Sequence, residues 1–226
     1  MPKPKKKKLS WKKVALAVGA TAIIAGSVSV AKSVINPGEV VTEVIDGDSF
    51  KIENGQSIRL YGVDAPELQY CFGKEAKDGL IKKILGKKVI LKSPRTDFYK
   101  RVQAYVYIVD EKTVDGEFVN EYMAKNGFVL VPGNGPSQLD AIRDSNSYAK
   151  NNKLGVFSER CFPVNPPSKN CNIKGQIPYD TGQKIYLTSD CRYYKISEVE
   201  RYRGEDWFCT EKEARDAGFI KSPNCP

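Results

Sequence analysis

The stretch "VIDGDSFKIENGQSIRLYGVDAPE" places Asp48, Asp64 and Glu67 around Arg59. Carboxylates brought close together repel one another unless a cation lies among them, and oxygen donors without His or Cys select Ca²⁺ or Mg²⁺ over zinc. The chain has no His (His 0), which removes the usual general base and the usual zinc ligand. Arg59 alternates with the apolar Ile58 and Leu60, so a strand there aims its guanidinium into a cleft beside the acids. A second cationic group, Arg95 and Arg101, brackets Phe98 and Tyr99 in "RTDFYKR". A metal, two arginines and one spare carboxylate suit phosphodiester cleavage: charge on the phosphorane is neutralised while Glu67 takes a proton from water. Asp46 reads as a turn residue of the Asp-Gly pair.

Those side chains need strands to hold them. "EVVTEVI", "SFKIE" and "SIRLYGV" are short β-type runs separated by "DGD" and "ENGQ", whose Asn-Gly pair signals a tight hairpin. Antiparallel hairpins bring the start of the second strand and the end of the third to one end of the sheet, so Asp48, Asp64 and Glu67 are expected to converge. "GKEAKDGLIKKILGKK" then spaces Ala76, Leu80, Ile81, Ile84 and Leu85 as one helical face ending at Gly86. "KVILKS" and "VQAYVYIV" read as strands four and five, "EFVNEYMAKNG" as a short helix stopped by Gly127, and Leu139 to Lys153 as a further helix. The order β-β-β-α-β-β-α-α predicts an α+β domain: a five-stranded OB-fold Greek-key β-barrel with three helices, over residues 38–160. A Pro-rich linker at 161–170 leads to a small cysteine-containing α+β module at 171–226.

Three blocks, "IDGDSFKI", "IRLYGVDAPE" and "RTDFYKRVQAYVY", with "GKEA" and "NNKLGVFSE", resemble in order the motifs of the staphylococcal nuclease (thermonuclease) family over about residues 38–160. The resemblance implies a Ca²⁺ held by Asp48, Asp64 and the carbonyl of Ala65, with Glu67 as general base. It also implies Arg59 and Arg101 on the scissile phosphate, Tyr99 on a substrate phosphate, and endo- and exonucleolytic hydrolysis of DNA and RNA to 3′-phosphate ends. Lys100 stands where the family often has Gly, which means either a different turn or an added phosphate contact. Ala65 stands for a common Thr, and "FVLVPGNGPSQ" lacks the family's paired base-stacking tyrosines. Phe98 or Phe128 is then the candidate for stacking, with packing as the plainer role of Phe128. The alternative to a nuclease is a surface-tethered nucleic-acid-binding protein without hydrolysis.

The whole chain has 226 residues and a net charge of +9 from 36 Lys and Arg against 27 Asp and Glu, which suits nucleic acid, anionic membrane or anionic wall polymers. Part of that excess is the leader "PKPKKKKLSWKK", followed by the apolar "VALAVGATAIIAGSVSVA". Residues 1–37 therefore read as a signal peptide, cut after Ala31, or as a membrane anchor, with the rest of a monomeric chain extracytoplasmic. Six cysteines in an exported chain point to disulfides. Cys71 and Cys161, the two outside the module, are expected to pair. In the module, Cys171 with Cys209 and Cys191 with Cys225 are the first reading. The alternative there is zinc, because the segment resembles faintly the small Ada-type zinc domain, with Cys191 and Cys225 matching two of its four ligands. The aromatics Tyr193, Tyr194, Trp207 and Phe208 read as that module's core.

Overall fold

A computed structural model of the protein describes residues 38–110, 113–132 and 140–226. The leader at 1–37, the end of "FVLVPGNGPSQ" and the expected helix start at Leu139 lie outside the described residues. The described residues form one compact unit.

Strands β1 (Glu39–Val44), β2 (Ser49–Ile52) and β3 (Ser57–Leu60) follow one another as antiparallel neighbours. After helix α1 (Gly73–Ile84) come β4 (Lys88–Thr96), β5 (Val102–Asp110) and β6 (Thr113–Phe118), then α2 (Val119–Lys125) and α3 (Asp140–Asn151). The sheet order is β3-β2-β1-β4-β5-β6, and β3 also pairs in parallel with β5, so the pairings of β1 to β5 close on themselves. Five strands were expected and a sixth is present. "TVDGEF" has weak strand propensity, but as an edge strand paired only with β5 it tolerates charge. There Phe118 stacks on Tyr107 at 4.6 Å, and Lys83 of α1 bonds Glu117.

The core forms where the alternating faces of the strands meet the helices: Val41, Phe50, Ile58, Val89 and Val106 against Leu80 and Ile84 of α1, Met123 of α2 and Ile142 of α3. Ala76 is buried as its spacing predicts, and Ile81 is partly buried. Leu85 is not on that face: α1 ends at Ile84, and Leu85 turns to an extended conformation (ψ 130°) with 45% of its surface exposed. Helix α3 likewise stops before Lys153, whose φ of 51° ends it while the Leu154 N–H returns to the Ala149 carbonyl at 2.9 Å. Buried Asn120 of α2 holds the ring from inside, accepting from the Val106 N–H and donating to the Tyr61 carbonyl, both at 2.9 Å.

Residues 161–170 contain neither helix nor strand. Beyond them β7 (Ile173–Gln176), β8 (Ile185–Leu187), β9 (Trp207–Phe208) and β10 (Ile220–Lys221) make a second sheet in the order β10-β8-β7-β9, with α4 (Glu211–Asp216) beside it. Its small core is Ile173, Tyr186, Ala214 and Phe219, with Phe208 packed against it. Trp207 is buried, whereas Tyr193 is exposed and lies outside that core. Disulfides join Cys71 to Cys161, Cys171 to Cys209 and Cys191 to Cys225. This corrects the zinc alternative, since Cys191 and Cys225 spend their sulfurs on each other and no described cysteine is free. The module is held against the larger domain by main-chain bonds: the Arg201 N–H donates to the Cys161 carbonyl at 2.9 Å, and the Cys71 N–H to the Arg201 carbonyl at 3.3 Å.

Candidate functional site

The acids sit at one rim because the β1–β2 turn and the loop after β3 meet there. Asp46 caps the turn, its Oδ1 accepting the Asp48 N–H at 3.0 Å. Asp48 is 1% exposed. Its Oδ1 accepts from Ser49 Oγ at 2.8 Å and from Arg59 Nη1, and its Oδ2 accepts the Ala65 N–H at 2.8 Å. Burial pushes the Asp48 carboxyl up to about 7, with Arg59 opposing the rise and Asp46 adding to it. Arg59 lies opposite Ser49 in the β2–β3 register, and its second nitrogen bonds Asp64 Oδ1. Burial works against the Arg59 charge, but Asp48 and Asp64 outweigh it and hold the guanidinium above its ordinary range.

Two close approaches fix the loop. A Cβ at Gly47 would lie 2.7 Å from the Cβ atoms of Ala65 and Ala76, so the turn packs directly under the loop and the first turns of α1. A Cβ at Gly73 would lie 2.1 Å from the Glu67 carbonyl oxygen. The backbone of Asp64 is paired with Leu130 in both directions, at 2.9 and 2.8 Å, which anchors the loop to the segment after α2.

The three acids divide between the Arg59 guanidinium and a cavity that Asp64 and Glu67 both line. Asp48 and Asp64 meet on one guanidinium, while the exposed Glu67 follows the bend past Pro66 and lines a cavity. Among the described residues no group of three His, Cys, Asp or Glu side chains could hold a metal ion. What Asp48, Asp64 and the Ala65 carbonyl would offer a hard cation is oxygen, and in this structure the Arg59 fork engages both carboxylates.

The strand pairings extend the basic character across the sheet. Arg59 is opposite Gln103 of β5, and Gln103 is opposite Arg95 of β4, so the three share a row. Arg95 lies over the Tyr61 ring at 4.1 Å. Arg101, two residues before Gln103, is held by Asp97, whose carboxylate accepts both its N–H and its Nε–H at 2.8 Å. Phe98 and Tyr99 at the hairpin tip are 93% and 75% exposed. Lys100 adopts the glycine-like φ of 62°, and its N–H closes on the Asp97 carbonyl at 3.0 Å. Phe128 packs, partly buried, against the core and stacks on Phe72 at 5.9 Å.

The sequence reading missed the other wall of the cavity. A solvent-open cleft of about 580 Å³ lies between Asp64, Ala65, Pro66 and Glu67 on one side and Tyr179, Tyr202 and Arg203 of the C-terminal module on the other. No local pattern could have shown it, because those residues reach the loop only through the packing of the second sheet.

Residues 57–159 match the family described as "Staphylococcal nuclease homologue". Among curated proteins, the chain is 41% identical over 70 residues to a "Probable staphylococcal-like nuclease" of Oryza sativa subsp. japonica, covering 31% of this chain and 19% of that protein. It is 29% identical over 131 residues to an "Uncharacterized endonuclease" of Escherichia coli, covering 56% of this chain and 80% of that protein. A "Probable endonuclease" of Arthroderma otae is 28% identical over 160 residues, covering 53% and 56%. The chain thus spans only about a fifth of the plant relative's length. The segment carrying Arg59, Asp64, Glu67 and Arg101 is similar to staphylococcal nuclease homologues, a mixed α+β domain of the OB fold.

Proposed function

We propose that this chain is a Ca²⁺-dependent nuclease that hydrolyses phosphodiester bonds of DNA, RNA or both. The observation that carries this reading is the Asp48–Arg59–Asp64 cluster at the rim, one loop turn from the exposed carboxylate of Glu67. Asp48, Asp64 and the Ala65 carbonyl are the groups that would hold Ca²⁺, which when bound offsets charge on the phosphoryl oxygens. Arg59 and Arg101 place two permanent positive charges where the phosphorane forms, each oriented by an aspartate. Glu67, open to solvent, accepts the proton of the attacking water. Tyr99 donates its hydroxyl to a substrate phosphate, and Lys100 adds charge beside it.

Hydrolysis of a labelled oligonucleotide by the oxidised full chain should require Ca²⁺, stop on chelation, and fall about 10²- to 10⁴-fold in Glu67→Gln. A second reading, nucleic-acid binding without hydrolysis, draws on the engagement of Arg59 by both acids and on there being no group of three acids among the described residues that could hold a metal ion. Salt-sensitive binding with no cleavage in any divalent metal would establish that reading and sink the first. Export, either secreted or held at the membrane by residues 1–37, rests on the leader sequence, and the N-terminal residue of the mature protein tests it. Among the described residues no helix is long and apolar enough to cross a membrane.

A further inference from the structure

We propose that Tyr179 of the C-terminal module is a stacking platform for one nucleobase of the bound strand, so that the module completes the substrate cleft. This rests on the nucleic-acid reading of the rim. The cavity that Glu67 lines has its opposite wall in the module, and its volume of about 580 Å³ lies within the usual range for small-ligand sites of about 300–1,000 Å³.

Tyr179 is 78% exposed, which is far more than an aromatic needs to serve the packing of so small a fold. It is nevertheless held in place. Its hydroxyl donates to Glu200 Oε2 at 3.1 Å, and the Arg203 guanidinium lies 3.4 Å from the ring centroid. Arg203 is itself locked, donating to the Ile177 carbonyl at 2.8 Å and to Glu200 at 3.1 Å. One face of the ring is therefore covered by a fixed cation, and the high exposure leaves the other available. A guanidinium–tyrosine–base stack adds a flat, electron-rich partner without requiring hydrogen bonds to base edges. A nucleobase fits better than a phosphate, because Arg203 is already paired to a carboxylate and the ring offers no second free cation.

Tyr202, buried beneath and stacked on Phe162 at 6.5 Å, backs this wall of the cavity. Polynucleotide lying with a phosphodiester near Glu67 would thus pass between the two modules, with a neighbouring base against Tyr179.

Binding tests this separately from cleavage. In the oxidised full chain carrying Glu67→Gln, with Ca²⁺ present, the Kd for a fluorescent single-stranded DNA of about ten nucleotides should rise about 5- to 100-fold on Tyr179→Ala. Tyr179→Phe should restore the affinity. Removing one base from the probe should weaken binding at a particular position, and that loss should vanish in Tyr179→Ala. Equal affinity of Tyr179→Ala and its parent, or no binding by the parent, overturns the platform. Tyr179-dependent binding by a wild-type chain that never cleaves upholds the platform and overturns the nuclease reading. Cleavage with no effect of Tyr179→Ala on binding does the reverse.

Discussion

Lys100 shows how much one residue can conceal. Its sequence context leaves two outcomes open, and the hairpin holds this lysine at φ 62°, where a residue with a Cβ costs about 1–2 kcal/mol. Lys100→Gly should therefore raise stability by about 1 kcal/mol, read as a shift in the urea midpoint at unchanged slope. A loss of stability would show that the lysine side chain contributes more than its backbone costs. The placement of Asp48 and Arg59 at one rim was legible for a simple reason: an acid at a strand start and an arginine between apolar strand residues have few places to go. Glu67 was less legible. Its position depends on Gly73, which admits the Glu67 carbonyl at a distance no side chain would allow, and nothing in "VDAPE" encodes that approach.

At the scale of elements, alternation and the Asn-Gly turn were enough to place β1 to β3, and the 3.6-residue spacing was enough to place α1. The sixth strand was not legible, because "TVDGEF" is a strand only while β5 supplies its partner. The segment around β7 and β9 carries its own buried acid. Glu205 accepts the N–H groups of Ile177 and Glu200 at 2.8 and 2.9 Å. Burial still pushes its carboxyl up to about 7, against the pull of those two N–H groups. An acid whose folded pKa lies above its free value near 4.5 binds more protons folded than unfolded between the two values. Its contribution to stability is therefore full below about 4.5 and is lost as the pH rises through about 7. The thermal midpoint of the wild-type chain should accordingly fall more between pH 5 and pH 8 than that of Glu205→Gln. Parallel slopes for the two proteins would mean that Glu205 is ionised in the folded state throughout.

For the molecule as a whole, the two modules act as one body because the Cys71–Cys161 disulfide lies where they touch. Arg201 takes a backbone bond from Cys71 and gives one to Cys161, so the helix that follows the Glu67 loop, the end of the larger domain and the Arg201–Arg203 turn are fastened at one point. The disulfide closes a sequence separation of 90, and its loss should cost about 4 kcal/mol in the chain-entropy account. The paired variant Cys71→Ser with Cys161→Ser should show this as a lower thermal midpoint, together with weaker oligonucleotide binding as the Tyr179 wall loosens. An unchanged midpoint would place the fastening in the backbone bonds alone. Six cysteines made disulfides legible, but not what the first of them fastens, since the packing of two sheets leaves no periodic trace.

The parallel pairing of β3 with β5 has a consequence for the timing of synthesis. Arg59 belongs to the early part of the chain, while its row partners Arg95 and Gln103 come after the whole of α1. A nascent chain that has emerged only through α1 carries Asp48, Arg59, Asp64 and Glu67 but no row of basic residues. Non-local parallel pairings also form late. The Arg59–Gln103–Arg95 row is therefore assembled only once β4 and β5 have joined the sheet, after the acids of the rim have already been made.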